Sequence, residues 1–321
     1  MKAVVVRHPG DSGVLEVTQV AKPQVKAGWS LVKVKGLGIN RSEIFTRQGL
    51  SPSVQFPRIL GIECVGVVEE TTDEQRLPVG QKIISIMGEM GRDFDGSYAE
   101  YVLLPNEQIY PVTTDLDWET LATIPETYYT AFGAYKNLKL TENDVVLVRG
   151  GASGVGTAFV KLVKAKFPTV KVYASVRSAK KKAQLLAAGY DDIVIDEHGV
   201  LQTDLTVTKL LDLVGPAAIK DSLAHLQEDG IICSCGQLGR QWYLEEFDPI
   251  VELQRNVYLT TFYSGNVSQE KIQEMLTYIE DERVEIHPEK VFDLENIQAA
   301  HDYLDSDAAF GKVIVLNKEE K

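Results

Sequence analysis

Four glycines lie close together at positions 150, 151, 154 and 156. They follow Val145–Val148, whose β-branched composition predicts a strand buried on both faces of a parallel sheet. They precede Thr157–Lys166, where apolar residues recur at helical spacing. Glycine leaves the amide groups of a helix N-terminus open to a bulky anion. A strand, a glycine turn and a helix in this order therefore predict a pyrophosphate site.

The glycine turn matches the GxGxxG dinucleotide pattern at two of its three glycines. Gly151 would form the tight turn, and Gly156 would let the helix pack closely on the strand. Ser153 stands at the middle position, where a small hydroxyl side chain still fits and can donate to a phosphate. The predicted pyrophosphate-binding residues are Gly151, Ala152, Ser153, Gly154, Val155 and Gly156. An ordinary flexible surface loop is the alternative.

The next predicted strand, Val170–Ser175, leads into Val176-Arg177-Ser178. In a site for NAD, an acidic residue in this region would bind the ribose 2′-hydroxyl. Arg177 and Ser178 stand there instead, and a cation and a hydroxyl suit the 2′-phosphate of NADPH. The lysines at 180 and 182 fit a solvated helix face, so Arg177 is the principal candidate and Lys181 a secondary one. The sequence therefore predicts NADPH as the cofactor.

Length and charge limit the class of protein. The 321 residues are enough for two domains with cores of their own. The formal net charge of −13 argues against nucleic-acid partners and against an anionic membrane surface. No apolar run approaches the roughly 20 residues that span a bilayer, and the N-terminus does not look like a signal peptide. We expect a cytoplasmic protein that binds neither nucleic acid nor membrane.

Three cysteines, Cys64, Cys233 and Cys235, are too few for a disulfide framework. Cys233 and Cys235 would face the same side of a strand, but a closed structural zinc site needs about four ligands. The sequence has no second cysteine pair to complete one. We expect both cysteines to be small core residues.

The pattern of the chain changes near residue 117. Before it, short strand-like runs separated by turn residues predict a β-barrel-like domain, with one helix that begins near Asn40. After it, Trp118–Tyr135 is helical and broken at Pro125, and Val145–Cys235 alternates strands with helices. That alternation predicts an α/β fold with a doubly wound parallel sheet. The tail adds a helix at Ser268–Glu282, another at Leu294–Ser306 and a last strand at Lys312–Leu316.

Short motifs follow one another along the whole chain. They are Gly38-Ile39-Asn40-Arg41-Ser42-Glu43, which is similar to a GxNxxD segment, then Leu60–Val68, Gly96–Tyr101, Glu126–Ala131, Gly151–Gly156 and Phe310–Leu316. In this order they resemble the medium-chain dehydrogenase/reductase superfamily, and most of all its zinc-free, zeta-crystallin-like quinone oxidoreductase branch.

The resemblance implies a fold and a set of cofactor contacts. It implies a GroES-like β-barrel domain at residues 1–117, a Rossmann NADP-binding domain at 118–264 and a return to the first domain at 265–321. It also implies a cofactor in the cleft between the domains, and a homodimer. Thr127 would lie near the nicotinamide amide. Cys235-Gly236 and Phe262-Tyr263-Ser264 would flank the cofactor.

The same resemblance bears on metal binding. Zinc-dependent relatives carry a cysteine where this chain has Asn40, and a histidine where it has Ile62. Neither side chain can replace a thiolate or an imidazole in a tetrahedral zinc site. The cysteine-rich structural zinc lobe is also missing, because no cysteine lies between Cys64 and Cys233. We therefore predict no metal, and we interpret Glu63 as a structural carboxylate.

Without zinc, hydride transfer to an electron-poor quinone or α,β-unsaturated carbonyl is the expected reaction. Asn40 is the first candidate to donate to the acceptor oxygen, although it also fits a helix N-cap. Tyr128 and Tyr263 are candidate proton donors, with burial as the alternative for each. Two other functions stay open: a non-enzymatic NADPH-binding protein, and an alcohol dehydrogenase that works without zinc.

Overall fold

The structure is a computed structural model that describes residues 1–318, and its strands lie mostly where the apolar runs predict them. The strands are β1 (Lys2–Val6), β2 (Glu16–Gln19), β3 (Trp29–Ile39), β4 (Arg58–Ile59), β5 (Glu63–Glu70), β6 (Lys82–Ile86), β7 (Tyr101–Pro105), β8 (Tyr110–Pro111), β9 (Val145–Arg149), β10 (Lys171–Val176), β11 (Asp192–Glu197), β12 (Val200–Leu201), β13 (Val207–Asp212), β14 (Leu226–Ser234), β15 (Tyr258–Thr261), β16 (Lys290–Asp293) and β17 (Val313–Leu316).

The helices occupy the intervals between these strands. The α-helices are α1 (Arg41–Arg47), α2 (Trp118–Thr123), α3 (Pro125–Leu138), α4 (Gly154–Lys166), α5 (Lys182–Ala187), α6 (Ile219–Ala224), α7 (Pro249–Glu252), α8 (Gln269–Asp281) and α9 (Ile297–Asp305). Short 3-10 helices lie at Ser12–Val14, Asn106–Gln108, Ala179–Lys181, Gln254–Asn256 and Leu294–Asn296. No helix within residues 1–318 is both long enough and apolar enough to span a bilayer.

The chain divides into two compact units. The first comprises Met1–Thr127, Gly265–Leu276 and the chain from Ile286 onward, and the second comprises Tyr128–Ser264 and Thr277–Glu285. The catalytic and nucleotide-binding roles that we assigned to ranges of the sequence stay predictions.

The first unit is built on the long strand β3. Its main sheet has the order β16-β17-β3-β5-β6-β8, and β7 also pairs with β3. A smaller sheet has the order β2-β1-β4. The C-terminal strand β17 runs antiparallel to β3, with Val313 opposite Ile39 and Ile314 opposite Gly38. This pairing brings the last part of the chain beside the segment that leads into α1.

The second unit holds a sheet of order β12-β11-β10-β9-β13-β14-β15. In this order, each strand from β11 through β10, β9, β13 and β14 to β15 runs parallel to the next. The short edge strand β12 runs antiparallel to its neighbour β11. The predicted α/β class with a doubly wound parallel sheet is therefore confirmed. Because β9 lies in the middle, with β10 on one side and β13 on the other, the glycine turn that follows β9 lies where the chain direction across the sheet reverses.

Candidate cofactor site and active site

The glycine turn is bonded to the neighbouring strand. The Gly150 amide donates to Ser175 Oγ at 3.2 Å, and the Gly151 amide donates to the Ser175 carbonyl at 3.2 Å. A Cβ on Gly151 would lie 2.5 Å from Ala174 Cβ, and a Cβ on Gly156 would lie 2.8 Å from the Gly151 carbonyl oxygen. Both distances are too short for a side chain, so glycine is required at 151 for the turn to lie this close to β10 and at 156 for the first turn of α4 to lie this close to the Gly151 carbonyl.

Ser153 caps the helix that follows the turn. Its hydroxyl accepts a hydrogen bond from the Gly156 amide at 3.1 Å and donates to the Gly150 carbonyl at 2.8 Å. Helix α4 therefore begins at Gly154, three residues before the predicted Thr157. We expected this hydroxyl to donate to a phosphate. Its proton is instead bound within the turn, so a phosphate would compete for it with the Gly150 carbonyl.

Tyr190 supports the turn from the protein interior and was not a candidate from the sequence. Its buried phenol lies 2.7 Å from the Gly156 carbonyl oxygen and 3.1 Å from the Gly151 carbonyl oxygen, so one proton is shared between two acceptors. Burial raises the pKa of Tyr190 well above its ordinary value, which keeps that proton in place. No sequence pattern connects a tyrosine before β11 with a glycine turn after β9.

The predicted 2′-phosphate residues follow the end of β10. Arg177 and Ser178 are exposed there, and Lys181 ends the 3-10 helix that comes next. The ammonium of Lys182, the next residue, pairs with Asp192 at 2.7 Å. This ion pair agrees with the interpretation of Lys182 as part of a solvated helix face.

Cys235-Gly236 and Phe262-Tyr263-Ser264 follow the ends of β14 and β15. The carboxyl ends of parallel strands lie at one edge of a sheet, so these segments share an edge with the glycine turn and Arg177. Phe262 packs against Gly133 of α3, and its ring makes an edge contact with Tyr129 at a centroid distance of 5.5 Å.

The two candidate tyrosines have opposite environments. Tyr263 is 67% exposed, whereas Tyr128 is 2% exposed. Burial raises the pKa of Tyr128, so its phenol stays protonated at neutral pH. The side chain of Tyr263 reaches solvent, and Tyr128 has the environment of a core side chain.

Asn40 lies in the first unit within a buried polar cluster. Its Nδ2 donates to Glu63 Oε1 at 2.9 Å and lies 3.4 Å from Glu43 Oε1, and its Oδ1 accepts from Lys312 Nζ at 2.8 Å. Lys312 also pairs with Glu63 Oε1 at 2.5 Å. We name Asn40, Glu43, Glu63 and Lys312 the buried polar cluster. The amide of Asn40 is held by these bonds, so donation to an acceptor oxygen would require one of them to be exchanged.

The charges of the cluster nearly balance. Burial, with a further contribution from the nearby Glu63 carboxylate, raises the pKa of Glu43 to about 8. Glu43 is therefore mostly protonated at pH 7, and the Glu63 carboxylate faces the Lys312 ammonium as the main ion pair. Gly38 borders this pair closely, and a Cβ at that position would overlap the Glu63 carboxylate and the Lys312 ammonium.

The Glu63 carboxylate also bonds to Glu126, the residue before Thr127. Glu63 Oε2 accepts a hydrogen bond from the Glu126 amide at 2.6 Å, where α3 begins, and the next residue, Thr127, is buried. Asn40 and Thr127 are therefore connected through Glu63 within the first unit. Sequence reasoning included neither Lys312 nor Glu43 among the candidates, although both lie in motifs that carried the family resemblance.

The position of Ile62 bears on metal binding. Its side chain is buried, and its backbone amide lies 3.4 Å from Glu43 Oε1. Within residues 1–318, no group of three or more histidine, cysteine, aspartate or glutamate side chains is arranged to hold a metal ion. The absence of a metal stays a prediction.

Comparisons with known proteins agree with this geometry. The family model of the alcohol dehydrogenase GroES-like domain matches residues 26–114, and that of the zinc-binding dehydrogenases matches residues 188–315. The quinone oxidoreductase of Lama guanicoe is 24% identical over 336 residues, which cover 99% of this chain and 98% of that protein. A quinone oxidoreductase structure from Coxiella burnetii is 25% identical, with a TM-score of 0.84 over 99% of each chain.

A third relative has the same fold at lower identity. The yhdH oxidoreductase from Salmonella enterica, solved in complex with NADP, is 20% identical, with a TM-score of 0.85 over 99% of this chain and 100% of that chain. The two family models match parts of both compact units, and the matched proteins extend over nearly the full chain. The chain therefore belongs to the medium-chain dehydrogenase/reductase superfamily, in its quinone oxidoreductase-like branch.

Proposed function

We propose that this protein is an NADPH-dependent oxidoreductase that transfers hydride to a quinone or an α,β-unsaturated carbonyl without zinc. The proposal rests on the residues at the edge of the second sheet where its parallel strands end. There, a capped glycine turn, an exposed arginine and the ends of β14 and β15 lie together. This is the edge at which open α/β sheets bind nucleotides.

The residues at this edge fit a nicotinamide dinucleotide. Within the turn at residues 151–156, the amides of Gly151, Ser153 and Gly156 are already bonded inside the protein, so the pyrophosphate would be held through the other amides of the turn. Arg177, Ser178 and Lys181 would hold the 2′-phosphate. Thr127, Cys235, Gly236, Phe262 and Ser264 stay candidates for the remaining contacts. When bound, the cofactor supplies a hydrogen with two electrons to the acceptor. The NADP complex of the yhdH oxidoreductase supports NADPH as the cofactor.

The buried polar cluster supports a reaction without zinc. An asparagine amide and an isoleucine side chain stand where zinc-dependent relatives carry a cysteine and a histidine. Lys312 Nζ lies 2.8 Å from Asn40 Oδ1 and pairs with Glu63 Oε1, so the ammonium already occupies the oxygen atoms that a divalent cation would need. Without a metal to stabilise an alkoxide, an acceptor that is already electron-poor is the better substrate. The quinone oxidoreductases among the relatives support the same choice.

The candidate catalytic residues then have distinct roles. Tyr263, which reaches solvent, would deliver the proton that completes the reduction, and Tyr128 would be a neutral donor from the interior. Asn40 would donate to the acceptor oxygen only after exchanging a bond with Glu63 or Glu43. The protein's main contribution would be to position the acceptor and to exclude water.

Steady-state NADPH oxidation tests the proposal. The chelator-treated protein, with its metal content measured, is assayed against 1,4-benzoquinone, 9,10-phenanthrenequinone and 2-cyclohexenone, with NADH in parallel. We expect turnover with at least one acceptor, a preference for NADPH and no change when zinc is added.

Other results would favour the alternatives. Tight NADPH binding without turnover on any acceptor would favour a non-enzymatic NADPH-binding protein. Oxidation of alcohols with no reduction of quinones or enones would favour an alcohol dehydrogenase. Activity that appears only after zinc is added would contradict the zinc-free mechanism.

A further inference from the structure

Two of the three cysteines are in direct contact. Cys233 Sγ lies 3.4 Å from Cys235 Sγ, within hydrogen-bond distance for sulfur. Cys233 is the penultimate residue of β14 and is buried, whereas Cys235 is partly exposed just beyond the strand. Cys64 is buried in the first unit and lies on a different sheet. The two thiols therefore form a pair with one solvent-accessible member.

The backbone around the pair is held in place on both sides. The Cys235 amide donates to the Asp212 carbonyl at 2.9 Å, and the hydroxyl of Ser234 donates to Asp212 Oδ2 at 2.8 Å. On the other side, Thr261 Oγ1 donates to the Ser234 carbonyl at 2.7 Å. A disulfide has an S–S length of about 2.05 Å, so the sulfurs must approach by little more than an ångström. Side-chain rotation can supply most of that movement while these bonds persist.

The two thiols differ in how they hold their protons. The hydrogen bond to Cys235 and burial raise the pKa of Cys233, so Cys233 keeps its proton while the pair is reduced. Its S–H lies within hydrogen-bond distance of the sulfur of Cys235. Cys235 is thus accessible to an oxidant, and Cys233 is close enough to react with the oxidised Cys235.

We propose that Cys233 and Cys235 are a redox modification site, which a hydroperoxide converts to an intrachain disulfide. The sulfur of Cys235 attacks a peroxide oxygen, the O–O bond breaks, and hydroxide leaves and takes a proton to form water. Cys235 is then a sulfenic acid. The sulfur of Cys233 attacks it, the S–O bond breaks, and a second water leaves with the Cys233 proton. Two thiols lose two electrons, and one hydrogen peroxide becomes two waters. This inference does not depend on the proposed cofactor or substrate.

Thiol mapping by mass spectrometry tests the inference on the folded protein. The protein is treated with hydrogen peroxide, free thiols are blocked with N-ethylmaleimide, and the chain is denatured and digested. We expect the peptide that contains both cysteines to lose about 2 Da and to escape alkylation, with full reversal by dithiothreitol, while Cys64 stays reduced. Phenylarsine oxide, which bridges paired thiols, should bind the untreated protein at one equivalent.

Two single variants separate the roles of the cysteines. In Cys233→Ser, Cys235 should form a sulfenic acid that dimedone traps. In Cys235→Ser, Cys233 should stay reduced because it is buried. Thermal melting of each variant shows whether it is folded. Sulfinic acid at Cys235 without a disulfide, a disulfide between two chains, or equal oxidation of all three cysteines in the wild type would each overturn the inference.

Discussion

Arg177 is the residue on which the choice of cofactor rests. It is exposed at the end of β10, at the position where an acidic side chain would favour NAD. Its sequence position alone predicted this role, because residues directly after a strand of a parallel sheet lie at the nucleotide edge. The loop from Arg177 to Lys181 therefore gives a direct test at the scale of single residues.

Arg177→Ala should weaken NADPH binding and leave NADH binding nearly unchanged. A hydrogen bond to a charged group contributes about 1.5–3 kcal/mol, which corresponds to at least a tenfold rise in the dissociation constant. Fluorescence titration with both nucleotides measures the effect. Lys180→Ala, an exposed neighbour, is the matched control. An equal loss for both nucleotides, or an equal loss in the control, would contradict the assignment.

Glu43→Gln should remove part of the pH dependence of stability. Burial first, and the Glu63 charge second, raise the pKa of folded Glu43 to about 8, whereas the pKa of an unfolded glutamate is about 4.3. Between these values the folded state keeps a proton that the unfolded chain has released. The stabilisation is therefore fully present below about pH 4.3 and is lost as the pH rises through about 8, at up to roughly 1.4 kcal/mol per unit.

Urea unfolding at pH 5 and pH 8 measures this effect. The wild type should lose more unfolding free energy than Glu43→Gln over that interval. Glu74→Gln, an exposed substitution, should behave like the wild type. Equal losses in the wild type and Glu43→Gln would show that Glu43 is already ionised in the folded protein.

Sequence reasoning found Asn40 and noted Glu63, but it could not find the partner that binds both. Lys312 is 249 residues from Glu63, and only the pairing of β17 with β3 brings them together. A lysine before a strand is ordinary in a sequence, so nothing local marks it. The contacts of the buried polar cluster therefore had to come from the structure.

At the scale of elements, the glycine turn and α4 show where sequence reasoning succeeds and where it stops. The strand and the helix were predicted because their apolar residues recur with different periods, and the glycines between them predicted the turn. The start of the helix was placed at Thr157 rather than Gly154, because the apolar pattern begins later than the hydrogen-bonded turn. The Ser153 cap and the Tyr190 support depend on side-chain direction, which periodicity does not report.

Tyr190→Phe should loosen the glycine turn. The change removes one buried proton shared by the Gly151 and Gly156 carbonyls, which should cost about 1–2 kcal/mol of unfolding free energy. We expect a melting temperature lower by a few degrees and several-fold weaker NADPH binding. Calorimetry and nucleotide titration measure the two effects, with exposed Tyr243→Phe as the control. Unchanged NADPH affinity would show that Tyr190 stabilises the fold without positioning the turn.

For the whole molecule, the order of motifs along the chain predicted the superfamily and the α/β class. It could do so because each motif consists of a few neighbouring residues and can be recognised without the fold. The homodimer, by contrast, was expected from the resemblance alone. An exposed edge of the second sheet is our candidate surface for it. Strand β15 ends the order of the second sheet, its Tyr258 is 58% exposed, and Ile250 and Val251 of α7 are also exposed. An edge strand with apolar neighbours is prone to pair with another chain.

We therefore expect two copies of the chain to associate through β15. Sedimentation velocity should give a dimer for the wild type and a monomer for Tyr258→Lys, because a charge on an edge strand opposes pairing. Val79→Lys, an exposed substitution in the first unit, should remain dimeric. A monomeric wild type, or a Tyr258→Lys variant that still dimerises, would contradict this interface.

Following the hydride itself tests whether the protein transfers it from NADPH to an electron-poor acceptor without zinc. NADPH deuterated at C4, prepared separately in each of its two stereochemical forms, is mixed with metal-stripped protein and 2-cyclohexenone. Mass spectrometry of the product then locates the label. We predict one deuterium at the β-carbon from one of the two forms and no dependence on added zinc. A reduced product without the label from either form, or bound nucleotide with neither cyclohexenone nor benzoquinone reduced, would rule out this hydride transfer.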